Sequence, residues 1–144
     1  MRNLRLLVII LIGCKFLALA QAREGVYEFS FLARVREEAP QVQIWAQFRV
    51  SDRFDKYWVG LKGGIQDDVY LMRQGYMGTD QLLGVRPLGF HPLPGEWYRV
   101  KVQALGPRIR VFVGDDPLPY IDVKDPDWEL ASSGPVTLGG GWIE

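Results

Sequence analysis

The sequence predicts an all-β domain folded as an antiparallel β-sandwich, and three observations carry that expectation. Apolar and polar residues alternate with period two over most of the chain that follows Gly25. The alternating runs recur every eight to twelve residues or so, separated by clusters of Gly, Pro, Asp and Ser. No segment of the chain shows the longer period of an amphipathic helix.

Residues 1–22 stand apart from that pattern. Arg2 and Arg5 give a positive start, LLVIILIGC an apolar run, and Ala20-Gln21-Ala22 a small-x-small cleavage site, so the segment reads as a signal peptide cut after Ala22. Lys15 interrupts the apolar stretch, which is too short for a good membrane span. A second reading takes Leu11-Ile12-Gly13-Cys14 as a bacterial lipobox that places a lipid on Cys14, although the following Phe16-Leu17-Ala18 stays apolar where a polar tether would begin. Both readings export the protein: secreted or periplasmic in the first case, lipid-anchored in the second. Cys14 is the only cysteine, so a domain spanning 23–144 contains no internal disulfide and no thiol chemistry.

Within 23–144 the strands follow in order. Val26–Val35 places Tyr27, Phe29, Phe31, Ala33 and Val35 on one face, and Arg36–Gln41 is a loop. Val42–Val50 sets Ile44, Ala46, Phe48 and Val50 against Gln43, Trp45, Gln47 and Arg49. Tyr57–Lys62 closes at Gly63-Gly64, and Val69–Gln74 ends in the turn Gly75–Asp80. Gln81–Arg86 is short and leads to the Pro- and Gly-rich loop before Glu96. Tyr98, Val100, Val102 and Ala104 then alternate with Arg99, Lys101 and Gln103. Gly106-Pro107 turns the chain into Ile109, Val111 and Val113, which alternate with Arg108, Arg110 and Phe112. A short strand before Asp125 and another over Val136–Leu138, followed by a Gly139–Trp142 tail, complete the set.

Composition removes several functions. The 144 residues carry 17 basic and 17 acidic side chains, which leaves no excess positive charge for nucleic acid. His91 is the only histidine and sits in a loop, so zinc sites and histidine-based nucleophile activation lack partners. Glu37-Glu38, Asp67-Asp68 and Asp115-Asp116 are adjacent pairs in turn-like sequence, and neighbours on an extended chain point apart rather than facing across a substrate. No cofactor is expected. Asp122, Asp125 and Asp127 could supply oxygens to calcium, but they match no defined loop pattern.

The more informative signal is a face. Opposite the core side of Val42–Val50 stand Gln43, Trp45, Gln47 and Arg49, joined by Trp58 and Lys62 on the next strand and by Tyr70 or Arg73 on the one after. Rings stack on the C–H faces of sugars, while amides and guanidinium groups bond hydroxyls. Trp45, Gln47, Arg49, Trp58, Tyr70 and Arg73 are therefore the expected ligand contacts. Packing of these rings into the core, or onto a neighbouring domain, is the alternative.

Three segments, YWVGLKGGIQDDVYLMR, GEWYRVKVQALGPRIRVFVGDDPLPYIDVKD and SGPVTLGGGW, make the chain resemble a concanavalin A-like (laminin G-like) jelly roll. It is similar to the non-catalytic carbohydrate-associated domains of bacterial family-2 glycoside hydrolases such as β-galactosidases, and to 3-keto-disaccharide hydrolase-like domains. The E-x-D-x-x-E acid pattern of the sandwich-fold glucanases is absent. The resemblance implies a secreted module that binds a polysaccharide or oligosaccharide at the front of a glycoside hydrolase, with a catalytic domain downstream. An interaction domain packed on such an enzyme without binding sugar is the second expectation, and a glycosidase within this chain the third. Domains of that type continue after the Gly-rich tail with a closing strand, which this sequence lacks.

Overall fold

A computed structural model of the protein describes residues 6–12, 14–23, 26–34, 42–49, 55–63, 66–75, 80–93, 95–128 and 137–142. Among the described residues, eleven strands run in chain order: β1 (Leu6–Ile12), β2 (Cys14–Arg23), β3 (Val26–Arg34), β4 (Val42–Phe48), β5 (Lys56–Gly63), β6 (Asp68–Gln74), β7 (Asp80–Pro87), β8 (Trp97–Leu105), β9 (Arg108–Val113), β10 (Ile121–Lys124) and β11 (Thr137–Trp142). One sheet has the order β1-β2-β3-β8-β9-β10 and the other β11-β4-β5-β6-β7. Every neighbouring pair is antiparallel.

The period-two pattern explains why these layers meet. From one sheet, Phe29, Phe31, Val100, Val102, Ala104, Ile109, Val111 and Val113 turn inward. From the other come Ile44, Ala46, Phe48, Tyr57, Val59, Leu61, Val69 and Leu71, and the two sets form one core. Each large side chain removed from water contributes roughly 1.5–3 kcal/mol. Aromatic rings cross the layers: Phe29 of β3 lies 5.4 Å from Phe48 of β4, which stacks at 5.1 Å on Tyr57 of β5. Between β8 and β9 the chain reverses in two residues. Gly106 takes φ 54° while the ring of Pro107 fixes a negative φ, the sequence of angles that a type II′ hairpin requires.

Two sequence expectations change. Val42–Val50 was expected to alternate to its end, but β4 stops at Phe48 because Arg49 adopts φ 52° and turns inward. The expected tail Gly139–Trp142 is paired backbone, running from Thr137↔Gln47 to Trp142↔Val42, since glycine hydrogen-bonds in a ladder like any other residue. The targeting reading of residues 1–22 concerns processing of the chain. In the full 144-residue chain, Leu6–Ile12 and Cys14–Arg23 form a hairpin that extends the first sheet beyond β3, with Cys14 opposite Ile12. Val8, Ile9, Ile10 and Ile12 are strong strand formers as well as apolar. Expectations placed on Arg36–Gln41 and on Glu37-Glu38 lie outside the described residues.

Two glycines set how closely parts approach. A Cβ on Gly60 would strike the carbonyl oxygen of Ile44 and come within 2.7 Å of the Tyr70 hydroxyl. A Cβ on Gly84 would meet Cγ2 of Ile121 at 2.8 Å, where β7 of one sheet lies against β10 of the other. Because the obstacle at Gly60 is backbone, Gly60→Ala should destabilise the domain by roughly 2–4 kcal/mol in urea unfolding. Ile121 can rotate away, so Gly84→Ala should lose less than about 1.5 kcal/mol. Equal losses at the two positions would contradict this account.

Candidate functional site

The strand register builds the outer face of the second sheet in two rows. One runs Gly139, Trp45, Gly60, Tyr70, Val85, and the other Thr137, Gln47, Trp58, Met72, Leu82. Trp45 therefore has a glycine as its direct neighbour on each adjacent strand. Its indole turns toward Trp58, and the two rings lie 4.5 Å apart at 41°. Both are half-buried. Trp58 donates its Nε1 proton to Oε1 of Gln74 at 3.1 Å, and Nζ of Lys56 stands 5.3 Å over its ring. Gln47, beside Trp58 on β4, is also half-buried. The result is a ring platform edged by amides and a lysine.

Tyr70 belongs to this face but not to its surface. Only 2% of it is exposed, its hydroxyl lies over Gly60, and Nζ of Lys62 sits 5.0 Å above its ring. It supports the platform from below. The six contacts expected from sequence thus divide, with Trp45, Gln47, Trp58 and Tyr70 together on the outer face and Arg49 and Arg73 elsewhere.

Arg73 follows Leu71 onto the inner side of β6, one position beyond the apolar core, where it meets acids from the other sheet. Its Nη1 donates to both oxygens of Asp125, at 2.8 and 3.0 Å. Its Nη2 donates to Asp127 at 3.0 Å and to Oε1 of Gln81 at 2.9 Å. Asp125 is 1% exposed, and it also accepts the Tyr57 hydroxyl at 2.6 Å and the backbone N–H of Asp127 at 3.0 Å. Arg49, 2% exposed, donates Nη1 to the carbonyl of Gly106 at 2.9 Å. Its guanidinium stands 5.3 Å from the ring of Trp128 and 5.9 Å from that of Tyr57. Two guanidinium groups and two carboxylates make a neutral cluster, the condition under which charge tolerates burial.

Electrostatics here favour structure over chemistry. Burial pushes the Tyr57 phenol well above its ordinary value, and the hydrogen bond and charge of Asp125 push it further, against the opposing fields of Arg49 and Arg73. For Arg73, burial works against the charge, but the Asp127 hydrogen bond and the fields of Asp125 and Asp127 outweigh it and raise its pKa. The hydrogen bond from Arg108 holds Asp122 below the ordinary carboxylate range, helped by the nearby Arg110. Each of the three aspartates considered as calcium ligands is thus engaged by a guanidinium, and among the described residues no group of three metal-ligating side chains converges. Asp116 caps its turn by accepting the Leu118 N–H at 2.9 Å, and Asp115 pairs with Arg99 at 3.2 Å.

Sequence reading missed Gln74 and Lys56 on the platform and the joint role of Tyr57 and Asp125. Parity along β6 points to Gln74, since positions 70, 72 and 74 share a side that position 73 does not. Nothing in the sequence signals the Tyr57–Asp125 pairing across 68 positions.

Removing the hydroxyl in Tyr57→Phe should cost about 1–3 kcal/mol, because a buried carboxylate loses a donor. Asp125→Ala should cost more, about 3–5 kcal/mol, because Arg73 then keeps a buried charge without its carboxylate. The Tyr57 contribution is fully present below about pH 10, where an unfolded tyrosine begins to ionise, and is lost as pH rises toward the folded pKa. Chemical denaturation followed through the alkaline range should show stability falling above about pH 10, with a shallower fall in Tyr57→Phe. An unchanged slope in the variant would assign the alkaline loss to other groups.

No protein-family model matches the sequence, and no curated protein matches it. Among solved structures, the chain is similar to carbohydrate binding module CBM66 from Bacillus subtilis, with a TM-score of 0.55 over 96% of this chain and 82% of that one. The sequences are 17% identical, so the shared property is the fold, an antiparallel two-sheet β-sandwich.

Proposed function

We propose that this domain is a non-catalytic carbohydrate-binding module whose contact surface is the outer face of β4, β5 and β6. The observation that carries the reading is the Trp45–Trp58 pair, partly open to solvent, with Trp45 between glycines in its row, Gln47 beside Trp58 in the next, and Gln74 bonded to the Trp58 indole from the row beyond. A sugar ring presents a C–H face that lies on an indole and a rim of hydroxyls that amides can both donate to and accept from. The fold shared with a solved carbohydrate-binding module supports the same reading. Catalysis plays no part in it. The setting that follows from the family resemblance is a secreted protein whose binding module precedes a glycoside hydrolase domain.

One observation favours a second reading. Leu82 and Val85 of β7 are 57% and 47% exposed on the same sheet, and apolar side chains grouped in this way also mark contact surfaces for other proteins. Under that reading the face packs on a neighbouring domain and binds no sugar.

Retention of the full chain on a panel of insoluble and soluble polysaccharides separates the two. Trp58→Ala and Trp45→Ala should each weaken retention on the bound polysaccharide by about tenfold or more, a loss of about 1.4 kcal/mol. Arg49→Ala is unsuitable as a binding probe, since Arg49 is internal and clamps the β8–β9 turn. Absence of retention on every polysaccharide, together with concentration-dependent association of the chain, would replace the first reading by the second.

We also propose export with cleavage after Ala22, the alternative being a lipid on Cys14. Intact mass of the exported protein should correspond to a chain beginning at Arg23. A diacylglyceryl-modified chain beginning at Cys14 would establish the alternative.

A further inference from the structure

At the end of the second sheet remote from the Arg73–Asp125 cluster, the β5–β6 loop and the segment after β7 line a cleft of about 590 Å³. It lies between the β5–β6 loop, which supplies Gln66, Asp67 and Asp68, and the segment after β7, which supplies Gly89, Phe90 and His91. That volume falls within the roughly 300–1,000 Å³ typical of small-molecule clefts. We infer that this cleft takes one neutral polyhydroxylated ring, such as the end of a saccharide chain, as a site separate from the Trp45–Trp58 platform. The ligand class rests on the carbohydrate reading above; the location rests on the cleft alone.

The walls are tied in place. The backbone N–H of Leu88 donates to the carbonyl of Asp67 at 2.7 Å, joining the two loops, and the Tyr120 hydroxyl donates to the Leu88 carbonyl at 3.3 Å. Leu88 itself is an apolar anchor, 3% exposed. Phe90 stacks on Tyr98 at 5.6 Å and 13°, and the Tyr98 hydroxyl accepts the Leu93 N–H while donating to Glu96. The Phe90 ring is thus held flat at the rim, with part of its surface open.

The polar groups select the ligand. His91 lies 3.0 and 3.1 Å from the two oxygens of Asp67 through Nδ1. A carboxylate only accepts, so Nδ1 carries the proton shared with Asp67 and Nε2 is the ring nitrogen left for a ligand. Asp68 brings a second carboxylate and Gln66 an amide that both donates and accepts. Among the described residues no lysine or arginine lines the cleft, which disfavours an anionic ligand. Among the described residues no three metal-ligating side chains converge here. What matches is a ring with a hydroxyl donor for Asp68, hydroxyls that can donate or accept for His91 and Gln66, and a C–H face for Phe90.

The test is an amide NMR titration of the full chain with methyl glycosides of glucose, galactose, mannose, xylose and fructose. At least one glycoside should shift the resonances of Gln66, Asp68, Gly89, Phe90 and His91 in a saturable manner. Asp68→Asn, which keeps the shape and removes the charge, should weaken that binding by about tenfold, and so should Phe90→Ala. Unchanged resonances elsewhere report that each variant is folded. Shifts confined to Trp45 and Trp58 would overturn the cleft site and leave the platform standing. Shifts in the cleft without polysaccharide retention would support the cleft and overturn the platform. No shift with any glycoside, or equal affinity in Asp68→Asn, would also overturn the cleft.

Discussion

At the end of β10 a carboxylate with almost no access to water receives the Tyr57 hydroxyl from β5 and the Arg73 guanidinium from β6. Asp125 belongs to one sheet and both of its partners to the other, so this pairing is an ionic latch across a core that is otherwise apolar. Two further ties act at the same end. Arg49, leaving β4, reaches the carbonyl of Gly106 in the β8–β9 turn, and the Asp125 N–H bonds the carbonyl of Pro107 in that turn. Apolar burial brings two sheets together without specifying their relative position, whereas a hydrogen-bonded ion pair has a direction. The latch sits on β4, β5 and β6, the three strands whose outer side carries the ring platform.

The same strands show how one side of a sheet can serve the other. Along β5, Tyr57, Val59 and Leu61 face the core while Trp58, Gly60 and Lys62 face out. Fixing Tyr57 beneath the sheet therefore limits the freedom of Trp58 above it. At the opposite end the loops are bound to each other by the Leu88–Asp67 backbone hydrogen bond, the His91–Asp67 contact and the Phe90–Tyr98 stack. The sandwich thus has an ionic end and an open end, with the platform between them.

Much of this was legible in the sequence. The alternation in β8 and β9 predicts which residues enter the core, and Val100, Val102, Ala104, Ile109 and Val111 all do so. Trp45, Gln47 and Trp58 were assigned correctly to one face because period two holds through them. It breaks one residue later, where Arg49 takes a left-handed conformation that alternation cannot anticipate. On β6 the difficulty is different: Val69, Tyr70, Leu71 and Met72 are apolar in succession, so neither face announces itself. Arg73 reads as outward from its charge, yet its partners come from 52 and 54 positions away, a separation that no local pattern encodes. The strand read over Val136–Leu138 runs on through Gly139–Trp142 in β11, and that extension was hidden for the opposite reason, since a run of glycines lacks the side chains that reveal periodicity.

Those glycines have a thermodynamic consequence for the platform. Each strand beside Trp45 places a glycine next to it, Gly139 on one side and on the other Gly60, which the Tyr70 ring covers. Immobilising a flexible side chain at an interface costs about 0.5–1.5 kcal/mol of lost rotamer freedom. A glycine has no rotamers to lose, Tyr70 is already packed over Gly60, and Trp58 is already tethered by Gln74. A ligand laid across this row would meet a surface whose conformational entropy was surrendered during folding, so that little further ordering opposes its association.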